Sequence, residues 1–179
     1  VGLFMLVFLL FGLGWCLFSM SAAAVWMTVG FLAVRYRLDP DTNLFTISLT
    51  NHGGGIYSAS LPGRAAGTLA AFHIVAQDNA ATPAITCFPD DAPQREALIL
   101  WGDAVNPGTL GTYRFWMTKA TADAWTTEEK MSNRPKDITF VYGTSRVIYN
   151  AGAMFHGSPY HSPAYNSPLG NSCDYDLIF

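Results

Sequence analysis

The sequence predicts a mainly β chain with minor α, an α+β arrangement. An N-terminal apolar helix precedes β-sandwich-like strands, and an antiparallel β-rich module with one short helix follows. Three observations carry this expectation. Residues 1–34 contain no Lys, Arg, Asp or Glu, so every charged side chain lies behind an apolar leader. From position 29 onward, short stretches alternate apolar and polar residues with period two, the spacing that places every second side chain on one face of a strand. Gly and Pro interrupt these stretches at short intervals, a pattern of sandwiches rather than of βαβ units.

The leader is long enough to cross a bilayer, since about 20 apolar residues span roughly 30 Å of hydrocarbon. Two readings stand side by side. As a signal peptide, residues 3–17 form the hydrophobic region and Ser19-Met20-Ser21-Ala22-Ala23-Ala24 supplies the small side chains a processing peptidase accepts. As a transmembrane helix, the segment would be flanked on its cytoplasmic side by Arg35 and Arg37. Leu13-Gly14-Trp15-Cys16 is a poor lipoprotein site, because bulky Trp15 stands where a small residue is required. Residues 1–28 are assigned to this leader.

Strands then follow in order. Leu32, Val34, Tyr36 and Leu38 alternate with Arg35 and Arg37, and Phe45, Ile47 and Leu49 alternate with Thr46 and Ser48. Asp39-Pro40-Asp41-Thr42-Asn43 between them reads as a turn, because Pro fixes φ and Asp or Asn bonds the local backbone. The Asp39, Asp41, Asn43 spacing is that of a calcium loop's first half, but no Gly stands at its sixth place and Thr50 occupies the position of the bidentate Glu. Asn51-His52-Gly53-Gly54-Gly55 is a second turn, leading to a strand with Tyr57, Ala59 and Leu61 on one face. Beyond Pro62-Gly63 and Gly67-Thr68, the residues Ala70, Phe72, Ile74 and Ala76 form the next face, with His73 on the opposite, wetter side. Residues 29–79 make up this partial sandwich module, and the aperiodic stretch 80–95, rich in Ala, Pro, Thr and Asp, reads as a linker.

The second module spans residues 96–179. Residues 98–101 are a short apolar run consistent with a buried strand, and Asn106-Pro107-Gly108 turns the chain. Tyr113, Phe115 and Met117 alternate with Arg114, Trp116 and Thr118. Thr121 is placed to N-cap a helix running through Lys130, with Asp123 in its first turn at the positive end of the dipole. Residues 138–142 and 146–150 flank Gly143-Thr144 as a hairpin, residues 157–171 form a Gly, Ser, Pro and Tyr loop, and residues 174–179 form a last strand.

Composition narrows the function classes. A net charge of −3, with the basic residues dispersed singly, provides no electropositive stripe for a phosphate backbone, which excludes nucleic-acid binding. Aromatic residues at 14% supply enough surface to bury that the chain should fold. His156, His161 and Cys173 offer borderline zinc ligands, and Asp174 and Asp176, two apart on a strand, share a face open to a cation; exposed imidazoles and solvated carboxylates are the competing readings. Ser158 and Ser162 have no base or orienting group identifiable from sequence. Cys87 and Cys173 would either pair in an oxidising compartment or stand as independent buried thiols.

Three blocks resemble known families. Residues Gly55-Ile56-Tyr57-Ser58-Ala59-Ser60-Leu61-Pro62, then Gly67-Thr68 and the strand ending Ala76-Gln77-Asp78, resemble the closing strands of fibronectin-type or immunoglobulin-like modules of bacterial exoproteins. Leu98-Ile99-Leu100-Trp101-Gly102-Asp103 with Tyr113-Arg114-Phe115-Trp116-Met117-Thr118 is similar to the connector that precedes a spore-coat CotH kinase-like domain. The stretch from Ile138-Thr139-Phe140-Val141-Tyr142 through Arg146-Val147-Ile148-Tyr149-Asn150 to His156-Gly157-Ser158 resembles the opening of that domain. The resemblance implies a partial chain of an exported, cell-envelope or secreted protein, with a structural or interaction role and with other domains or cell-surface proteins as partners. It also implies Gly157 and Ser158 as a nucleotide loop, with ATP and Mg as cofactors only if the full-length protein is an active kinase-like phosphotransferase. A phosphate cradle needs cations beside its backbone N–H groups, and no Lys or Arg follows Arg146, so this stretch alone carries no complete catalytic site. A membrane-anchored protein with a soluble β domain is the further alternative, with membrane contact only through residues 1–34.

Overall fold

The computed structural model describes residues 4–8, 29–103, 111–128, 132–144, 146–156 and 174–179. The strands are β1 (Phe4–Phe8), β2 (Val29–Leu38), β3 (Phe45–Ser48), β4 (Thr50–Asn51), β5 (Ile56–Ser60), β6 (Leu69–Asp78), β7 (Ile85–Phe88) and β8 (Ala97–Leu100). Strand β9 (Tyr113–Trp116), helix α1 (Lys119–Thr127), and strands β10 (Lys136–Tyr142), β11 (Arg146–His156) and β12 (Asp174–Ile178) complete the order. The chain is mainly β with minor α, as its period-two patterning predicts, and all recorded pairings are antiparallel.

Strand β6 is the spine of the first layer. Strand β2 runs along one side of it, with Val34 opposite Ile74 and Arg35 opposite His73, and β3 continues the sheet beyond β2. On its other side β6 carries two short strands: β8 opposite Leu69 to Phe72, and β7 opposite Ile74 to Gln77. A three-stranded sheet in the order β1-β5-β4 is the second layer. Ala59 and Leu61 of that layer pack with Leu32, Val34, Tyr36, Phe72 and Ile74 in one buried cluster, the sandwich core the alternation anticipates. The tip between β4 and β5 turns through Gly53, Gly54 and Gly55, all at positive φ (83°, 60° and 79°), where a Cβ would be strained.

The second core lies on the sheet β12-β11-β10-β9. Trp125, 1% exposed, projects from α1 onto Ile138, Phe140, Ala151, Ala153 and Phe155. Its ring centroid is 5.1 Å from that of Phe155 and 5.6 Å from that of Tyr175, so much of this core is aromatic edge and face contact.

Several expectations are corrected. Phe4–Phe8, inside the leader expected to be helical, is a strand paired with Ile56–Ser60. A short run of Phe and Val satisfies either conformation, and the partner strand decides it. The expected linker 80–95 carries β7, and β8, expected to open the second module, belongs to the sheet of the first. Helix α1 is capped by Thr118, whose Oγ1 accepts from Thr121 N at 3.1 Å, rather than by Thr121. It ends at Thr127 rather than Lys130, because Glu128 is already extended. Asp123 therefore sits past the first turn, where it pairs with Lys119 one turn earlier. The expected hairpin is present, with Phe140 opposite Ile148 and Tyr142 opposite Arg146, but its second arm runs past Asn150 to His156. The turn at residues 106–108 and the loop at 157–171 lie outside the described residues. Among the described residues no helix is long and apolar enough to cross a membrane.

Candidate functional site: the cleft at the inter-sheet joint

The two cores meet where β8 approaches β10. One flank of β8 is hydrogen-bonded to β6, which leaves the alternate amides of its other flank to be satisfied. Side chains of β10 do this. Leu98 N donates to Thr139 Oγ1 at 3.0 Å, and Glu96 N donates to Asp137 Oδ2 at 3.4 Å. The match is a register of twos: residues 96 and 98 present their amides along one edge, and residues 137 and 139 share one face of their strand. Thr139 is completely buried, and its hydroxyl in turn donates to Tyr149 O at 3.4 Å.

Charged groups surround the joint. Arg95 Nε donates to Asp137 Oδ1 at 3.1 Å, Arg95 Nη2 donates to Ala151 O at 3.2 Å, and Asp91 lies 3.7 Å from Arg95 Nε. Burial pushes the Asp137 carboxyl above its usual range, outweighing the Arg95 guanidinium that pulls it down. Lys136 pairs with Glu128, whose carboxyl is lowered chiefly by that hydrogen bond. On the far side of β8, Glu96 Oε2 accepts from Arg37 Nη2 at 2.7 Å and Nε at 3.0 Å. Arg37 reaches Asp39 Oδ1 at 3.4 Å, and Asp39 Oδ2 accepts from Lys119 N at 2.8 Å. Burial disfavours the Arg37 charge, but Glu96 and Asp39 together hold its pKa above the ordinary value. This chain of charges ties β8 and β2 to the first residue of α1.

Beside the joint opens a cleft of about 580 Å³. Its polar wall is Arg95, Lys136, Asp137 and Asn150, and its apolar wall is Pro135, Ile178 and Phe179. Between them Gly152 contributes only backbone, and a Cβ there would lie 3.1 Å from Pro135 Cβ and 3.6 Å from Ile178 Cβ. Asn150 Oδ1 is buried without a hydrogen-bond partner. Both cations of the wall are already held by carboxylates.

The candidate residues expected from sequence fall elsewhere. Gly157, Ser158, His161, Ser162 and Cys173 lie outside the described residues, as does Cys16. Cys87 is a half-buried free thiol on β7. His73, expected on a wet face, is 4% exposed, because β6 is covered on both faces as a central strand is. Its Nδ1 has no hydrogen-bond partner, and desolvation lowers its pKa despite the nearby Glu96 charge. His156 and Asp176, considered separately in the sequence, are brought together at 2.8 Å by the pairing of β11 with β12. On the exposed hairpin tip, His52 Nε2 lies 2.7 Å from Ser58 Oγ. Among the described residues no group of three His, Cys, Asp or Glu converges as metal ligands would.

Sequence reasoning passed over Arg95, Asp137, Thr139 and Asn150. The one local signal is the alternation Asp137-Ile138-Thr139-Phe140, which marks β10 as a strand with a polar second face without saying what meets it. No family model, no curated protein and no solved structure matches the chain.

Proposed function

We propose that the chain is a structural and interaction part of an exported, cell-surface or secreted multidomain protein, in line with its likeness to the N-terminal part of CotH kinase-like proteins. The supporting observation is the contrast between its sheet edges. Strand β8 has its free flank covered by Asp137 and Thr139. Strands β3, β7, β9 and β12 are end strands among the described residues, and each has a large apolar residue on it that is exposed: Phe45 (46%), Ile85 (64%), Tyr113 (66%) and Ile178 (44%).

Proteins that must stay apart blunt such edges with Lys, Pro, bulges or a covering element. Here β3 reads Phe-Thr-Ile-Ser and β7 reads Ile-Thr-Cys-Phe, with neither Lys nor Pro. An edge of this kind accepts a further strand through backbone hydrogen bonds, with alternate side chains giving specificity. The partners of this reading are neighbouring domains of the same chain or cell-surface proteins, reached outside the cytoplasm.

Edge substitutions test it. Phe45→Lys with Ile85→Lys is expected to leave the folded spectrum intact and to reduce the fraction of the protein retained at the cell surface by about tenfold. Full retention of the double variant would remove the reading.

A further inference from the structure

We propose that the strand received by the free edge of β7 is β3 of a second copy of this chain, so that copies join edge to edge in open rows. This inference rests on the edge-pairing reading and names its partner. The two strands are the ends of one sheet, ordered β3-β2-β6-β7, in which each strand runs antiparallel to its neighbour. Across four alternating strands the two ends run in opposite directions. A copy set beside another in the same orientation therefore brings β3 against β7 antiparallel and continues the ladder.

Side-chain direction and length agree with this pairing. Opposed residues of a ladder point to the same side, and the register from Phe45 through Tyr36 to Phe72, and from Ile47 through Val34 and Ile74 to Phe88, puts all of these on the side of the buried cluster. Thr86 shares that side, while Thr46, Ser48, Ile85 and Cys87 point to the other. Both strands have four residues. Setting Phe45 opposite Phe88 of the next copy, and so on to Ser48 opposite Ile85, matches all four pairs by side. Self-pairing of either strand about a twofold axis matches only three residues, because its first and last residues point to opposite sides. The mixed pairing covers Phe45, 46% exposed, with Phe88, 38% exposed, and neither strand carries a charge to resist it. Four residues a side is far below the roughly 20–30 of a standard interface, so a single pair is weak and rows form where copies are crowded, as on a surface. Because unlike edges meet, each added copy leaves a free edge, and rows lengthen instead of closing into a pair.

Disulfide trapping tests it. In the full chain with Cys16→Ser and Cys173→Ser, Thr46→Cys sets a thiol opposite Cys87 of the next copy. Within one chain these positions are three strand spacings apart, roughly 14 Å, beyond the ~7 Å between Cα atoms that a disulfide can bridge. Diamide, which takes two electrons and two protons from each pair of thiols, is expected to give a ladder of dimers, trimers and longer species on non-reducing gels. Restoring Thr46, or adding Cys87→Ser, should abolish the ladder. On the two-thiol chain Ile85→Lys should cut the trapped yield about tenfold, ~1.4 kcal/mol, with the thermal midpoint unchanged. No ladder, a product that stops at the dimer, an equal ladder with Arg64→Cys in place of Thr46→Cys, or a yield indifferent to Ile85→Lys would each overturn the proposal. If the ladder is absent while the Phe45→Lys, Ile85→Lys variant still loses surface retention, the edges meet other proteins and only this partner falls; if retention is also unchanged, both readings fall.

Discussion

Replacing Thr139 by Val is the sharpest perturbation of the joint between the two sheets. The two side chains have nearly the same shape, so the substitution changes hydrogen bonding rather than volume. Leu98 N, which donates to Thr139 Oγ1 at 3.0 Å in a strand where Leu98 is 2% exposed, would lose its acceptor with no water to replace it. A buried donor left unmatched costs about 1–3 kcal/mol, and the weaker bond to Tyr149 O at 3.4 Å is lost as well. The added methyl recovers part of this, leaving a net loss of ~2 kcal/mol. For a chain of this size that corresponds to a fall of roughly 4–8 °C in the thermal midpoint. Thr139→Ser keeps the hydroxyl and removes one buried methyl, at a cost of ~1 kcal/mol. Urea unfolding of both variants, with hydrogen exchange read at the Leu98 amide, separates the terms. The order expected is parent, then Ser, then Val, with Leu98 losing protection only in Val. A Val variant as stable as the Ser variant would refute the reasoning that side-chain acceptors hold this edge.

Other outcomes follow from the same geometry. His73 is neutral when folded because burial lowers its pKa, so the unfolded chain binds the extra proton first as pH drops; stability should decline below about pH 6.5, and His73→Leu should remove that component of the acid titration. Glu96→Ala should destabilise by ~3 kcal/mol, since it leaves the half-buried Arg37 guanidinium with Asp39 as its remaining carboxylate and the Asp41 carbonyl as its other acceptor, and urea denaturation reads this directly. Trp125→Ala should cost about 3–5 kcal/mol and abolish most of the near-ultraviolet dichroism, because the indole is the centre of the aromatic cluster on β10 and β11.

Period-two alternation made β2, β5, β6 and β9 legible, because in each of them a face of apolar residues repeats for at least two steps. Strand β7 was not legible, although Ile85, Thr86, Cys87 and Phe88 all favour strands. Four residues are too few for a period, although the pairing partners Ile74 to Gln77 lie only 8 to 14 residues earlier in the chain. His73 misled because alternation with apolar neighbours signals one wet face only when the strand is covered on one side. The capping residue slipped by three positions between two threonines, either of which has the right side chain; the observed bond to Thr121 N selects Thr118. The cleft was illegible for a deeper reason. Arg95 and Asp137 are 42 residues apart, and nothing near either of them in sequence specifies the other. The leader's strand Phe4–Phe8 belongs to the same class, an apolar run whose conformation is decided by β5.

Photocrosslinking from the open edge tests the central claim most directly. A benzoylphenylalanine in place of Ile85, which is 64% exposed on end strand β7, should on irradiation of intact producing cells give discrete adducts with extracytoplasmic proteins. The same probe at Arg64, on an exposed loop away from any strand, should give none. Adducts with cytoplasmic proteins, or equal yields from the two positions, would contradict an account in which these strand edges are where the protein meets its partners.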